Sequence, residues 1–355
     1  MKAGTLVSTL TLAGDKTTSP DTHVMMFAGE TPCDENGHPL HRIINSASRQ
    51  QIADEITVDF MFSSKPPAGY ANYHEKICAY VAMLAGPAQK LDPDATPLTF
   101  RVATSSETDC VFEYMETASA RAGIVIATAK LAIPNVAIIG LGGTGSYVLD
   151  LLAKTPIWEI HLYDGDRFLQ HNAFRSPGAP SVEVLGEAPN KAIYLQSMYQ
   201  NMRRGIVAHD VHITAGNVDE LREMDFVFLC LDSGSARKLI VAQLERWGVS
   251  FIDVGMGIYE SDGALGGLVR VTSSTPTQRR HVHDRDRIPF GDADDDNEYG
   301  QNIQIAELNA LNATLAVIKF KKLLGFFADL EGEHNAIYEI DGNNVINEDR
   351  LGKAA

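Results

Sequence analysis

The chain has 355 residues, of which 45% are hydrophobic and 21% charged, and this composition predicts an ordinary globular protein of about two domains. The net charge of −16 argues against nucleic acid as a partner. No apolar run is long enough to cross a bilayer, so no membrane partner is expected and the cytoplasm is the predicted compartment. The cysteines Cys33, Cys78, Cys110 and Cys230 form no CxxC pair, which indicates neither a zinc ribbon nor a disulfide framework.

Residues 1–115 are predicted to form a smaller α+β domain that carries no nucleotide signature. His23–Glu30 has the composition of a strand, and Phe100–Ala103 that of another. Tyr73–Leu84 repeats apolar residues at helical spacing. Pro87 and the LDPDATP segment after it are predicted to break this helix.

Residues 116–131 are helical in composition and are expected to connect this domain to a larger one at 132–330. Strand-like and helix-like segments alternate along the larger domain, which predicts a Rossmann-like, doubly wound, mainly parallel sheet of the α/β class. Thr272–Gly300 is charged and irregular and is predicted to be a surface loop. Residues 331–355 form a tail with one predicted strand, AIYEI. The predicted strands of the larger domain are Val136–Ile139, Ile160–Tyr163, Val211–Thr214, Phe226–Cys230 and Phe251–Val254, and its predicted helices are Ser146–Ala153, Lys191–Arg203, Ala236–Trp247 and Glu307–Leu324.

The stretch NVAIIGLGGTGS carries the strongest functional signal in the chain. Val136–Ile139 is a short apolar run with branched side chains, and apolar residues recur at helical spacing after the glycines, so the glycines lie between a strand and a helix. Glycines let the backbone approach a phosphate closely, and a helix N-terminus offers it free N–H groups. We therefore predict a nucleotide-binding turn, in which Gly140, Gly142, Gly143 and Gly145 bind the cofactor.

Polar side chains follow the neighbouring strands of the larger domain. Because the carboxyl ends of parallel strands face one crevice, Asp164 and Asp232 are both expected to lie there. Asp164 suits ribose hydroxyls, and Asp232 suits Mg²⁺, which prefers oxygen ligands and shares them with phosphates. Arg175 and Lys191 suit triphosphate oxygens, and Asp166 either joins the binding residues or only braces the turn. This set predicts ATP and Mg²⁺ as cofactors, for attack on an α-phosphate rather than hydride transfer.

The joint order of these motifs resembles that of the ThiF/MoeB and ubiquitin-activating adenylyltransferases. GLGGTGS is followed by DGD, by N-x-x-R, by a lysine that opens a helix, and by LDS with Arg237 after it, over Pro134–Gly257. The resemblance implies an enzyme that uses ATP to adenylate the C-terminal glycine carboxylate of a ubiquitin-like β-grasp protein, and it implies a homodimer. By matching motif, Asp164 would hold the ribose and Asp232 would hold magnesium. The phosphates would be held by Asn172, Arg175 and Lys191, and Arg121 would reach the phosphates of the other subunit. The catalytic candidates are thus Arg175, Lys191, Asp232 and Arg121.

Other segments resemble a narrower group. HVMMFAGETPC, FSSKPPAGYANYHEKICAYV and HNAFRSPGA are similar to segments of bacterial ThiF-type proteins whose operons also encode a ubiquitin-like protein and a ubiquitin-conjugating enzyme. Those operons include antiviral, anti-phage conjugation systems. The resemblance implies that both encoded proteins are partners and that the activated acyl group passes to the ubiquitin-conjugating enzyme.

The chain departs from the family pattern at three points that bear on this transfer. Ser176 follows Arg175 where many relatives have Gln, and the two zinc-binding CxxC pairs of many relatives are missing. Thioester-forming relatives have a cysteine between the magnesium aspartate and the last helix, but residues 232–324 contain none. We therefore predict that the acyl-adenylate is handed directly to a nucleophile of the partner. Among acceptors on this chain, Cys33 is the best thiol candidate, and a hydroxyl in residues 273–275 is an alternative.

Three other functions stay open on the sequence alone: a sulfur-carrier adenylyltransferase of the thiamine or molybdopterin type, an NAD-dependent oxidoreductase, and a non-catalytic scaffold. The D-x-D, N-x-x-R and lysine set argues against the oxidoreductase, because it suits phosphate and metal chemistry. The scaffold is disfavoured because the chain retains Asp164, Arg175, Lys191 and Asp232.

Overall fold

The computed structural model describes residues 2–98, 110–291 and 303–350. The chain divides into two compact units. Within the described ranges, no helix has both the length and the apolar character that a bilayer crossing requires. The N-terminal unit comprises Met1–Cys110 and Tyr114–Ala129, and the second unit comprises Val111–Glu113 and Lys130–Ala355.

A small antiparallel sheet and one long helix form most of the N-terminal unit. Its elements are β1 (Thr5–Val7), β2 (Leu12–Ala13), β3 (Lys16–Thr17), β4 (Val24–Ala28), β5 (Ile44–Ala53), β6 (Ile56–Ser63), α1 (Tyr73–Leu91), α2 (Ala118–Ala122) and α3 (Val125–Ala129). The sheet has the order β1-β4-β6-β5, and β2 pairs with β3 separately. Phe27, Phe60 and Phe62 of the sheet pack with Tyr80 of α1 to form the core of this unit. The predicted strand at Phe100–Ala103 lies outside the described residues.

Helix α1 runs past Pro87 and ends at Leu91, so the predicted break at Pro87 is wrong. The residue before this proline is Gly86, which lacks the Cβ that would clash with the proline ring. The next proline, Pro93, does end the helix. Asp92 before it adopts an extended conformation, with φ −142° and ψ 102°, as a residue that precedes proline prefers.

An eight-stranded sheet with helices on both faces forms the second unit. Its strands are β7 (Asn135–Ile139), β8 (Glu159–Tyr163), β9 (Ile206–His209), β10 (Phe226–Leu229), β11 (Ser250–Ser261), β12 (Ala264–Ser274), β13 (Asn335–Glu339) and β14 (Asn344–Glu348). Its helices are α4 (Gly143–Leu152), α5 (Gln170–Ala173), α6 (Val182–Glu187), α7 (Lys191–Tyr199), α8 (Gly234–Trp247), α9 (Arg280–Asp284) and α10 (Ala306–Leu323), with a 3₁₀ helix at Val218–Glu223. Helices α4, α7 and α10 bury apolar side chains on one face, and α8 with the 3₁₀ helix does so on the other.

The strands are ordered β14-β13-β12-β11-β10-β7-β8-β9. The run from β11 to β9 is parallel, and β12, β13 and β14 continue it as antiparallel strands. The predicted Rossmann-like α/β fold with a mainly parallel sheet, preceded by a smaller α+β unit, is confirmed.

Two local predictions in this unit are wrong. The strand expected at Val211–Thr214 lies instead at Ile206–His209. Its position is set by β8, because the two strands pair from Ile160↔Ile206 to Tyr163↔His209, where β8 ends. The surface loop expected from residue 272 begins later, since β12 continues to Ser274 and α9 follows. Two apolar side chains of this region, Val282 and Ile288, are buried in the core beside β10. The acidic part of the predicted loop, residues 292–302, lies outside the described ranges.

The tail contributes two strands, β13 and β14, where one was predicted, and His334 is buried immediately before them. The Nδ1 atom of His334 lies 3.0 Å from Ser273 Oγ. Burial lowers the pKa of His334 to about 4. A histidine in the unfolded chain titrates near 6.5, so between these two values the unfolded state binds more protons than the folded state.

The free energy of unfolding is therefore expected to fall as pH drops from about 6.5 to about 4. Urea unfolding at pH 7 and pH 4.5 checks this in the wild type and in His334→Asn, which cannot titrate there. The variant should lose less stability over this interval. An equal loss in both proteins would contradict the assignment.

Candidate nucleotide site

Three parallel strands end at the same level of the large sheet. Ile139 at the end of β7 pairs with Tyr163 of β8 and with Leu229 of β10. A cavity of about 1070 Å³ opens beyond these ends, which is the edge where parallel α/β sheets bind ligands. Its wall contains eight residues that the sequence analysis selected: Gly140, Gly142, Gly143, Asp164, Asp166, Arg175, Lys191 and Asp232.

The glycines have different roles in the turn between β7 and α4. Gly140 has a positive φ of 86°, and a Cβ there would lie 2.5 Å from the carbonyl oxygen of Cys230. A Cβ on Gly145 would lie only 1.9 Å from the carbonyl oxygen of Gly140, so this glycine lets α4 pack against the turn. Gly142 caps the N-terminus of α4 and, with Gly143, lines the cavity. Free N–H groups of the first helical turn therefore lie beside the cavity, where they suit a phosphate.

The glycines permit a test with a matched pair of variants. Gly145→Ala forces a backbone clash and is expected to lower the free energy of unfolding by about 3 kcal/mol. A Cβ on Gly142 would meet no atom within 4 Å, and its φ of −67° is ordinary, so Gly142→Ala should fold like the wild type. Chemical denaturation of both variants checks this. Equal stabilities would contradict the packing role of Gly145.

Asp164 lies at the end of β8 and holds two neighbouring segments together. Its Oδ2 accepts a hydrogen bond from the N–H of Leu141 in the glycine turn, at 2.6 Å, and its Oδ1 accepts from the N–H of Asp166, at 2.9 Å. Lys191 Nζ lies 3.8 Å from the same Oδ1 and donates to Asp166 Oδ2 at 2.7 Å. This last bond holds the pKa of Asp166 below its usual range. Both acidic residues and the lysine thus form one charged group at the cavity wall.

Asn190 positions this group, and the sequence analysis missed it. Its Nδ2 donates to the carbonyl oxygen of Asp164 at 2.7 Å and to Asp210 Oδ1 at 2.5 Å. Its Oδ1 accepts from the N–H of Ile193 at 3.1 Å and so caps α7, which places Lys191 at the first helical position. The available signal was an asparagine directly before a predicted helix, which is a preferred N-cap.

Asn172 and Arg175 lie on the segment that begins with α5. Asn172 is buried behind the cavity wall, where its Oδ1 accepts from the N–H of Leu169 at 2.8 Å. Its predicted contact with a phosphate stays a prediction. Arg175 lines the cavity, and its Nε is buried with no hydrogen-bond partner among the described residues. A buried donor without a partner beside a cavity of this size suits an anionic ligand.

Asp232 follows β10 and lines the cavity next to Leu231 and Ser233. Across the described ranges, no three histidine, cysteine or acidic side chains gather into a metal site. Magnesium commonly uses only one or two carboxylates and completes its coordination with phosphate oxygens and water. Asp232 therefore fits Mg²⁺ that arrives with a nucleotide, and not a metal held by the protein alone.

A buried group of three charged side chains forms another part of the wall. Asp253 of β11 is fully buried, with Arg237 Nε 2.8 Å from its Oδ1 and Arg270 Nη2 2.5 Å from its Oδ2. Both arginines line the cavity. The sequence indicates Arg237 only as part of a motif, and it does not indicate Asp253 or Arg270, because the three residues come from α8, β11 and β12 and share no local pattern.

Arg121 belongs to the N-terminal unit, on α2. Its Nε lies 3.0 Å from Asp21 Oδ2, and its side chain is half exposed. The structure places it in a different unit from the cavity residues. Its predicted contact with the phosphates of another subunit stays a prediction.

A sequence profile of the ThiF family matches residues 120–345, which include the whole cavity wall. The chain belongs to the ThiF family. This confirms the resemblance to the E1-like adenylyltransferases that the motifs indicated. Residues 1–117 match a different profile, described as a domain of unknown function, DUF6791.

Curated relatives of this ThiF-family chain include ubiquitin-like modifier-activating enzyme 5 of Rattus norvegicus, 26% identical over 162 residues. The enzyme of the same name from Aedes aegypti is 24% identical over 163 residues. Both matches cover 42% of this chain and 39% or 40% of the relative, so the chain spans about two fifths of the length of the curated relatives that it matches.

Solved structures share the fold of the ThiF-family chain. Escherichia coli MccB, crystallised with AMPCPP and MccA, has a TM-score of 0.51 at 18% identity, over 67% of this chain and 73% of MccB. MccB with ATP has a TM-score of 0.50 at 18% identity, over 65% and 68%. PaaA has a TM-score of 0.50 at 15% identity, over 79% of this chain and 93% of PaaA.

Proposed function

We propose that this chain uses ATP to adenylate the C-terminal glycine carboxylate of a ubiquitin-like protein and passes the acyl group to a ubiquitin-conjugating enzyme. One observation carries the proposal. A single cavity brings together a glycine turn at a helix N-terminus, the cations Arg175 and Lys191, and the carboxylate of Asp232. These groups suit a triphosphate with its magnesium ion.

In the proposed reaction, an oxygen of the substrate carboxylate forms a bond to the α-phosphorus of ATP. The bond between that phosphorus and the bridging oxygen of the β-phosphate breaks, and pyrophosphate leaves. Arg175 and Lys191 stabilise the charge that develops on the phosphates. Asp164 holds the ribose, and Asp232 is the residue that would hold Mg²⁺, which would supply neutralisation of phosphate charge when bound.

The relatives support the choice of an acyl substrate. The curated relatives are named as activating enzymes for ubiquitin-like modifiers, and they match at 24–26% identity. MccB has been crystallised with ATP and, separately, with AMPCPP and MccA. Crystallisation of MccB with a nucleotide analogue and MccA together agrees with an enzyme that uses ATP to act on a second molecule.

Three candidate acceptors of the acyl group on this chain, Cys230, Ser273 and Ser274, are poorly suited to this role. Desolvation by burial raises the pKa of the Cys230 thiol, so little of it is thiolate. The hydroxyl-bearing residues Ser273 and Ser274 are buried. Cys33 is partly buried, and its thiol donates to the carbonyl oxygen of Thr31 at 3.4 Å. These environments favour direct transfer from the acyl-adenylate to a nucleophile of the partner.

A homodimer is part of the proposal. Four apolar side chains on the segment next to the cavity are substantially exposed, and Phe174 and Val182 are 78% and 81% exposed. Exposed apolar side chains of this size are common at protein interfaces. The four residues are Leu169, Phe174, Val182 and Ile193. A second copy of the chain would bind to this surface, and a cytoplasmic antiviral conjugation pathway of bacteria would be the setting.

Exchange of labelled pyrophosphate into ATP tests the proposed activity. The full chain is mixed with ATP and a ubiquitin-like protein ending in glycine, preferably one encoded beside it. We expect exchange that is lost when the terminal glycine is removed or when Asp232 is replaced by asparagine. Turnover of NADH without exchange would overturn the proposal in favour of an oxidoreductase. Exchange followed by a thiocarboxylate, instead of a thioester on the conjugating enzyme, would favour a sulfur-carrier role.

A further inference from the structure

Two asparagines of α10 line the cavity. Asn309 and Asn312 are each only 1% exposed, and both belong to the cavity wall. They are three residues apart, so their side chains lie on the same helical face. Neither belongs to the phosphate and magnesium group described above, and the sequence motifs gave them no role.

The two side chains join different parts of the wall. Asn309 Oδ1 accepts a hydrogen bond from Thr144 Oγ1 at 2.9 Å, and its Nδ2 packs over Gly143, where a Cβ would lie 2.1 Å away. Asn312 Nδ2 donates to the carbonyl oxygen of Gly255 at 3.0 Å. Asn309 is therefore next to the glycine turn, and Asn312 is next to β11.

Each amide has one atom that forms no hydrogen bond with any residue of the described ranges. Asn309 Nδ2 and Asn312 Oδ1 are buried, and neither has a hydrogen-bond partner among the described residues. The orientation of Asn312 follows from its contact, because a backbone carbonyl only accepts and so must face the NH₂ group. Buried polar groups in native proteins are nearly always satisfied, so an unpaired donor and an unpaired acceptor in one wall point to a ligand that supplies both partners.

The terminal residue of a peptide supplies these partners. Its backbone N–H donates, and its carboxyl oxygen, or the acyl oxygen after adenylation, accepts. Beyond Gly255 the wall becomes apolar, with Met256, Ile258 and Leu268. This order suits an extended tail whose last residue is next to the glycine turn and whose preceding residues follow β11.

We infer that Asn312 and Asn309 position the last residue of the acyl substrate for attack on ATP. Asn312 Oδ1 accepts the N–H of that residue, and Asn309 Nδ2 donates to its carboxyl oxygen. The inference rests on the proposed function, and it adds the contacts that hold the substrate tail. Both asparagines are positioning residues for a peptide that ends in a free carboxylate.

Three stable adenylate analogues test the inference without a known protein substrate. One is 5′-O-sulfamoyladenosine, which has no tail. The second carries a glycyl-glycyl tail on the sulfamate, and the third carries glycyl-sarcosine, whose terminal residue has a methyl group in place of the N–H hydrogen. Their dissociation constants for the full chain are measured by calorimetry. We expect the glycyl-glycyl analogue to bind more tightly than the other two, with about a tenfold loss on N-methylation.

Substitutions of the two asparagines then show which side chain binds the N–H of the terminal residue. Asn312→Leu should bind the glycyl-glycyl analogue about tenfold more weakly and should no longer distinguish it from the sarcosine analogue. Asn309→Leu should weaken both tailed analogues by a similar factor and retain their difference. The untailed analogue should bind the wild type and Asn312→Leu equally, which also shows that this variant is folded. Thr314→Ala, on the exposed face of the same helix, is the matched control and should change nothing.

The outcomes separate the two proposals. If no analogue binds, both the proposed adenylation and the inference about the asparagines are wrong. If the untailed analogue binds but the tail adds no affinity, only the inference is overturned. Equal effects of N-methylation in the wild type and in Asn312→Leu would overturn the role of Asn312, and would indicate that its oxygen is satisfied by buried water.

Discussion

Replacing Lys191 with alanine is expected to lower the rate of adenylation about 100-fold, because the substitution removes a cation from the phosphates in the transition state. The lysine is suited to this role by its surroundings. It is 7% exposed, and Asn190 fixes the start of its helix. The measurement is exchange of pyrophosphate into ATP, with the affinity for a non-hydrolysable ATP analogue determined in parallel.

The fold should survive this substitution. Asp164 keeps its hydrogen bonds from the N–H groups of Leu141 and Asp166, and the side chain of Asp166 is 58% exposed and can be hydrated. Lys154→Ala is the control, because this lysine forms an exposed pair with Asp150 four residues earlier. It should keep wild-type activity. A Lys191 variant that loses its thermal stability but keeps its affinity for ATP would contradict the phosphate role.

Replacing Asp253 with alanine is expected to lower the free energy of unfolding by about 3–5 kcal/mol. Removal of this carboxylate leaves two guanidinium groups, those of Arg237 and Arg270, without their ion-pair partner at sites where water has little access. Their side chains are only 7% and 12% exposed, so hydration compensates little of the loss. Urea denaturation at neutral pH measures the change.

Two further variants define the cause of that loss. Asp253→Asn retains the volume of the side chain and removes only the charge, so it should be nearly as destabilised. Asp284→Ala removes an exposed carboxylate that pairs with Arg280, and should cost less than about 0.5 kcal/mol. A loss below about 1 kcal/mol for both Asp253 variants would show that the buried ion pairs contribute little to stability.

The fold class could be predicted because its signals are local. Each parallel strand is a short apolar run, and alternation with helices is enough to indicate a doubly wound sheet. The ends of a strand were less predictable where pairing with a neighbouring strand determines them. The strand at Ile206–His209 ends with β8, and β12 continues to Ser274 alongside β11. Such limits depend on pairing between distant segments, which a single stretch of sequence does not contain.

In the candidate site, too, some residues could be predicted from local sequence and others could not. Gly140, Asp164, Lys191 and Asp232 each follow or precede a strand or helix in a familiar order, and the structure brings them to one cavity. By contrast, Asp253, Asn309 and Asn312 could not be selected, because nothing near them in the sequence indicates that they meet the glycine turn or its neighbours. Tertiary contacts from α10 and β12 create their environments.

The pairing of β12 with β13 also has a consequence for the order in which this protein matures during synthesis. Arg270 of the cavity wall lies on β12, opposite Ile337 of β13. The glycine turn leaves the ribosome long before β13 does, and until then β12 pairs with β11 on one side only and its other edge is open. We therefore expect the part of the cavity wall around Arg270 to be completed late in translation, so that a ribosome-bound chain that stops before residue 335 should bind chaperones at this edge.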